Sequence, residues 1–410
     1  MDNIAVTGMG VVSPLGSDVQ SLWNALVKGV SGIERIDALE GLPVNIGGPA
    51  KGFDPTRYLS RKDLRHMDRF SQFALVASLD ALESSNLDKG TYPEGRIGVI
   101  IGSGAGGLLT LESQIKSFSE KGARRVSPLT VPMLIINIAS GLVAMRIGAR
   151  GPGMGVSTAC ATGGHAIAVA ARLIQTGDAD CMVAGGVEAV LTPFAVSAFA
   201  AMKALSTRNN EPGRASRPFD IERDGFVMAE GGAVFVLENM ETARKRGAGI
   251  LAVIKGIGMS QDAYHMVAPH PEGRGAVIAM KRAIEDAGIS PEQVDYINAH
   301  GTSTPLNDSI ETRAIKEVFG DHAYRLKVSS SKSMTGHLIG GAAGLETAIC
   351  ILALNHGVVP PTINLDNPDP ECDLDYVPNT AQRLDMKYCM NNAFGFGGQN
   401  MSLVIGRNDS

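Results

Sequence analysis

Apolar positions along the chain switch repeatedly between short runs and a period of 3.6, which predicts alternating strands and helices. An apolar run at Ile4 to Gly10 reads as a first strand ending in a Gly-Xaa-Gly turn. A helix near Phe70 to Leu87 follows, then a strand at Ile97 to Ile101 and the glycine turn GSGAGG. The same order recurs downstream. It runs through a strand and Gly-Xaa-Gly turn at Leu251 to Gly258, a helix near Ala276 to Ala287, a strand near Val294 to Asn298 and the turn His300 to Thr304. Each half also carries a small-residue helix, at Ala161 to Gln175 and Ala342 to Asn355. Chance similarity between α/β segments is the plain alternative. The matched order favours an internal duplication, with residues 1–250 and 251–410 as related halves and one site where they meet. Alternation of this kind predicts an α/β architecture with mainly parallel pairing.

Composition changes the picture by exclusion. With 410 residues, 44% of them hydrophobic and 19% charged, the chain suits a folded protein with a sizeable core. Its 49 glycines and 20 prolines are spread evenly enough to suggest tight turns and close packing, with no linker. The opening MDNIAVTG lacks a basic n-region, so neither a signal nor a transit peptide is expected. No run approaches the roughly 18 uninterrupted apolar residues of a membrane span, so no membrane insertion and a cytoplasmic location are expected. Five scattered cysteines without a CxxC argue against a disulfide frame or a metal site of structural zinc type. A net charge of -5 argues against general nucleic-acid binding.

Candidate chemistry centres on Cys160. The segment GVSTACATGGHAIAVAARLIQTG passes from small residues into an Ala-rich helix, placing Cys160 at a strand-to-helix turn. Free N–H groups at a helix start favour a thiolate, and small neighbours leave room for substrate. Free cysteine is also common in cores, so position alone leaves both readings open. His300 in NAHGTSTPLND and His337 in SSSKSMTGHLIGGAAG lie in turns of small residues and complete a candidate set. Other motifs are weaker. Ser157 lacks the last glycine of a GxSxG elbow, the glycine turns lack a full GxGxxG, and Ser329 to Lys332 matches SxxK without its companion motifs.

Four segments taken together carry a resemblance. TACATG around Cys160, AHGTSTP around His300, KSMTGH with GAAG around His337, and the C-terminal NAFGFGGQN resemble the elongating β-ketoacyl-acyl-carrier-protein synthases, in order and over essentially the whole chain. TACATG followed by His165 is more similar to the type II enzymes of fatty-acid elongation. The resemblance implies a thiolase-like fold with duplicated halves in a five-layered α-β-α-β-α arrangement, working as a homodimer. It also implies decarboxylative condensation of an acyl chain, held on Cys160, with malonyl-acyl carrier protein. No cofactor is implied, since phosphopantetheine arrives on the carrier. A polyketide-type ketosynthase and a silent chain-length partner are the alternatives, and the intact Cys160, His300 and His337 speak against the second.

Residue roles follow from the same resemblance. Backbone N–H groups of Cys160 and Phe396 would form an oxyanion hole, and His300 and His337 would bind the malonyl thioester oxygen. Lys332 would order the pocket with Glu346, an ordinary salt bridge being the alternative. Thr302 and Thr304 match positions that bind the pantetheine arm, although threonine also serves turns. Phe394 and Phe396 resemble gate residues. Ala105 stands where bulky isoleucine is frequent, which implies a less obstructed acyl pocket. Lys62, Arg65, Arg124, Arg125 and Lys203 align with carrier-docking positions, with a solvated face as the plain alternative. His66 replaces a usual lysine there.

Overall fold

The computed structural model describes residues 4–88 and 90–408. Its main sheet has ten strands. In chain order they are β1 (Ile4–Val12), β2 (Ile97–Gly102), β3 (Gly153–Met154), β4 (Cys181–Glu188) and β5 (Gly231–Asn239). The second set is β6 (Ala252–Gln261), β7 (Tyr296–Asn298), β8 (Lys327–Ser329), β9 (Tyr388–Gly395) and β10 (Gln399–Gly406). Across the sheet the order is β8-β7-β9-β10-β6-β1-β5-β4-β2-β3. Adding five to each label of the first set gives the second set in the same order from the centre outward.

Directions repeat as well. β2 runs parallel to β3 and β4, as β7 does to β8 and β9, while β4–β5, β1–β5, β9–β10 and β6–β10 are antiparallel. The sheet is therefore mixed, where strand and helix alternation predicted mainly parallel pairing. The difference arises because β5 and β10 return directly beside β4 and β9 as antiparallel neighbours.

Six helices organise the packing: α1 (Arg69–Ser85), α2 (Ile138–Ile147), α3 (Thr162–Gln175), α4 (Arg274–Ala287), α5 (Pro305–Phe319) and α6 (Ala342–His356). Strand alternation sends side chains to two cores. On β4, Val183 and Val187 join the cluster containing Phe70 and Phe73 of α1, while Met182 and Ala184 face the central cluster of α3 and α6. On β10, Met401, Leu403 and Ile405 face that same central cluster, and Val404 joins the cluster of α4. The layers are thus α1 and α2, half-sheet, α3 and α6, half-sheet, α4 and α5, the five-layered thiolase-like arrangement.

Both Gly-Xaa-Gly segments lie inside strands, where the sequence pattern suggested turns. A Cβ at Gly8 or Gly10 of β1 would overlap the carbonyl oxygens of Ala81 and Ala77 on α1. A Cβ at Gly256 or Gly258 of β6 would overlap those of Ala283 and Ala279 on α4. These glycines let a helix lie directly on a strand, the same device used once per half. The helical stretch Ile339–His356 is long and apolar enough to cross a bilayer, yet 89% of it is buried between the half-sheets, as a core helix is.

Candidate active site

Cys160 sits in the single 3-10 turn Ala159–Ala161 that leads into α3. Ala159 adopts φ +48°, a left-handed conformation costing roughly 1–3 kcal/mol for a residue with a Cβ. The Thr162 hydroxyl braces the turn, accepting from Thr158 N–H at 2.8 Å and donating to the Ala159 carbonyl at 2.7 Å. The second half repeats this elbow. Ile339, at φ +47°, opens the turn Ile339–Gly341 before α6, and Gly340 stands where Cys160 stands in the first half.

Only glycine at 395 lets the β9–β10 hairpin reach this turn, because a Cβ there would lie 2.6 Å from the Thr158 carbonyl oxygen. The approach brings Phe396 N–H to the Cys160 sulfur as a hydrogen-bond donor. Burial nonetheless pushes the thiol up to about 11, against the Lys332 charge and that N–H. The helix start was expected to favour a thiolate. The resting group is a thiol, because Cys160 is only 5% exposed and burial disfavours the anion.

His300 follows β7, and His337 follows the short helix Lys332–Thr335. His337 Nε2 is 3.1 Å from Cys160 Sγ. One ring nitrogen from each histidine and the sulfur lie within 4.8 Å of one another, and the two rings meet edge to face at 5.5 Å. Burial, then the Lys332 charge, holds both imidazoles well below the usual histidine range, with His337 adding to the effect on His300. Both are neutral near pH 7. Lys332 itself is buried in an ion pair with Glu346 of α6.

Cys160, His300 and His337 open into one cavity of about 570 Å³. Its wall includes Ala105, Phe394 and Phe396, together with Thr302, Thr304 and, among the exposed residues, Lys203. Thr302 and Thr304 hydroxyls hydrogen-bond each other at 2.8 Å, and Thr304 also caps α5. Phe394 packs 5.7 Å from the His300 ring. Lys62, Arg65, Arg124 and Arg125 lie outside the cavity, exposed and without an ion pair among the described residues.

Residues 1–243 match the family described as "Beta-ketoacyl synthase, N-terminal domain", and residues 251–366 match "Beta-ketoacyl synthase, C-terminal domain". The chain belongs to the β-ketoacyl synthase family. It is 50% identical over 406 residues to the 3-oxoacyl-[acyl-carrier-protein] synthase 2 of Coxiella burnetii, covering 98% of each chain. It is 49% identical to the enzyme of that name from Synechocystis, covering 98% of this chain and 97% of the relative. Among solved structures, a β-ketoacyl synthase from Burkholderia phymatum superposes with a TM-score of 0.92 at 36% identity, covering 99% of this chain and all of the other. A type II polyketide ketosynthase, solved with its acyl-carrier protein, gives 0.93 at 34% identity over the full length of both. The protein is a β-ketoacyl synthase, an acyltransferase-class condensing enzyme.

Sequence reasoning passed over three residues of this synthase's site. Glu311 of α5 accepts His300 N–H at 2.9 Å and Gly301 N–H at 2.8 Å, and burial raises its carboxyl to about 7. Phe226 stands edge-on to His337 at 5.2 Å. Glu188, the last residue of β4, is fully buried beside the GSGAGG turn. A lone acid closing the apolar run CMVAGGVE was the available signal for it.

Proposed function

We propose that Cys160 carries the acyl chain as a thioester and that His300 and His337 activate the malonyl unit. The convergence of the thiol and two neutral imidazoles in one cavity carries this reading. In the first half-reaction the Cys160 sulfur attacks the acyl thioester carbonyl. The carbon–sulfur bond to phosphopantetheine breaks, and the thiol proton ends on the departing sulfur. Phe396 N–H and Cys160 N–H stabilise the charge on the carbonyl oxygen.

In the second half-reaction the malonyl carbon–carboxylate bond breaks, releasing carbon dioxide and leaving its electron pair as an enolate. His300 and His337 donate hydrogen bonds to the enolate oxygen. The enolate carbon then attacks the acyl carbonyl, and the Cys160 sulfur leaves as a thiolate that takes a proton from solvent. Atoms and electrons balance without a redox or metal step, so the scheme needs no cofactor beyond the phosphopantetheine on the carrier. Burial, reinforced by the charge of Lys332, keeps both imidazoles unprotonated and able to serve as neutral donors. Mixing acyl- and malonyl-carriers with the enzyme should yield one 3-oxoacyl-carrier and one carbon dioxide per turnover. Release of carbon dioxide without carbon–carbon bond formation would overturn the reading.

The carrier protein docks, on this reading, at Lys62, Arg65, Arg124, Arg125 and Lys203, whose unpaired charges suit an acidic partner. Carrier affinity should fall roughly tenfold between about 0.05 and 0.3 M salt, the range over which exposed charges become screened. A flat response in a binding titration would remove the electrostatic surface. Thr302 and Thr304 meet the pantetheine arm on its way to Cys160, and Phe394 and Phe396 line its approach.

A cytoplasmic homodimer completes the proposal. Five free, buried cysteines suit a reducing compartment. The sheet ends at β3, an exposed edge strand, and neighbouring elements expose Met145 at 70% and Val131 at 63%. An uncovered edge with apolar neighbours favours self-association there. Light scattering reads the mass directly, with a monomer as the contrary result.

A further inference from the structure

Glu188 is a buried carboxylate that the condensation scheme does not use. It closes β4 at the junction between the halves and is 0% exposed. Both oxygens are fully engaged. Oε2 accepts Gly104 N–H at 2.7 Å and Gly340 N–H at 3.0 Å, while Oε1 accepts the Ser103 hydroxyl at 2.7 Å and Ala105 N–H at 3.3 Å. Gly340 belongs to the second-half elbow, next to the His337 loop. Ser103 to Ala105 belong to the first-half turn, whose Gly104 and Ala105 line the cavity that also holds Cys160. One carboxylate therefore fastens the acyl wall to the elbow of the other half.

Space around it is tight. A Cβ at Gly104 or at Gly340 would each lie 2.7 Å from Oε2, so only glycine at both positions lets the backbone approach the carboxylate this closely. Ser103 extends the clamp, its hydroxyl accepting Gly106 N–H at 2.9 Å while donating to Oε1. Burial of a charged group disfavours it, and burial raises this carboxyl while the four donors oppose that effect. A neutral apolar residue would avoid the burial penalty but would leave three backbone N–H groups without acceptors.

We infer that Glu188 is a positioning residue for acyl-chain selectivity, holding Gly104 and Ala105 at a fixed distance from Cys160. The inference rests on Cys160 being the acyl carrier. It predicts different outcomes for two substitutions. In Glu188→Gln the amide oxygen can occupy the Oε2 place and keep Gly104 and Gly340. The NH2 group then meets the Ser103 hydroxyl, which can accept, and Ala105 N–H, which cannot. Gln therefore releases the Ala105 segment alone, whereas Ala releases all four partners.

Single-turnover loading of Cys160 from a ladder of short to long acyl-carriers tests this, with melting temperature and malonyl decarboxylation measured alongside. For Glu188→Gln the ratio of long-chain to short-chain loading should shift at least fivefold, more than decarboxylation moves. Ser103→Ala, which removes one donor from Oε1, should shift the ratio in the same direction by a smaller factor and serves if the glutamine variant fails to fold. Loading profiles parallel to wild type in both variants, or an equal loss at every chain length, would overturn the inference. If wild type itself loads no acyl chain on Cys160, the underlying catalytic reading fails instead.

Discussion

Cys160→Ala should lower condensation of acyl- and malonyl-carriers by roughly 10⁴-fold or more, the scale on which loss of a nucleophile acts. The folded structure should survive, since alanine fills most of the same space and the turn depends on Ala159, Thr158 and Thr162, not on the sulfur. The loss should fall on acyl loading, followed by transfer of a labelled acyl group to protein. Retained condensation at the wild-type rate would mean that the strained turn presents the wrong residue. Cys350 and Cys389 offer no substitute, because burial holds both thiols well above the usual range and neither lines the cavity.

The histidines should separate. His300 lines the cavity, but the ring nitrogen in hydrogen-bond contact with the sulfur is His337 Nε2, at 3.1 Å. His300→Ala is expected to cut malonyl decarboxylation roughly 10²- to 10³-fold, the usual effect of losing an oxyanion donor, while loading falls much less. His337→Ala should cut both, because that ring meets the thiol before acylation and the malonyl oxygen afterwards. Rapid-quench measurement of each half-reaction checks this, and equal losses in both steps for His300→Ala would point to a structural role.

Acid dependence follows from the same burial. Both imidazoles are held below the ordinary histidine range, so below about pH 6.5 the unfolded chain binds protons that the folded one refuses. Stability from this source is complete above that pH and is lost as pH falls further. Chemical denaturation at pH 7.5 and pH 5.5 should show the decline, smaller in the double alanine variant of the two histidines.

Much of this site was legible before any coordinate. Cys160, His300 and His337 stand in motifs of small residues that only a tight turn or a close approach requires, and the repeated strand and helix order announced the duplication. Other features depend on distance in space. Gly8 and Gly10 look like turn residues until α1 is seen lying across them, since local pattern cannot tell a bend from a close contact. The thiol's state was misjudged because a helix start is visible in sequence and burial is not. Glu188 and Glu311 act on backbone N–H groups brought near by the fold, such as Gly340, 152 residues from Glu188. Sequence period carries no information about such partners.

Whether Cys160 carries the acyl chain is read by intact-protein mass spectrometry after incubation with an acyl-carrier. One acyl mass increment per chain is expected, located by peptide mapping to Cys160 and discharged on adding malonyl-carrier. An increment on another residue, one that persists in Cys160→Ala, or one that malonyl-carrier leaves in place would contradict it.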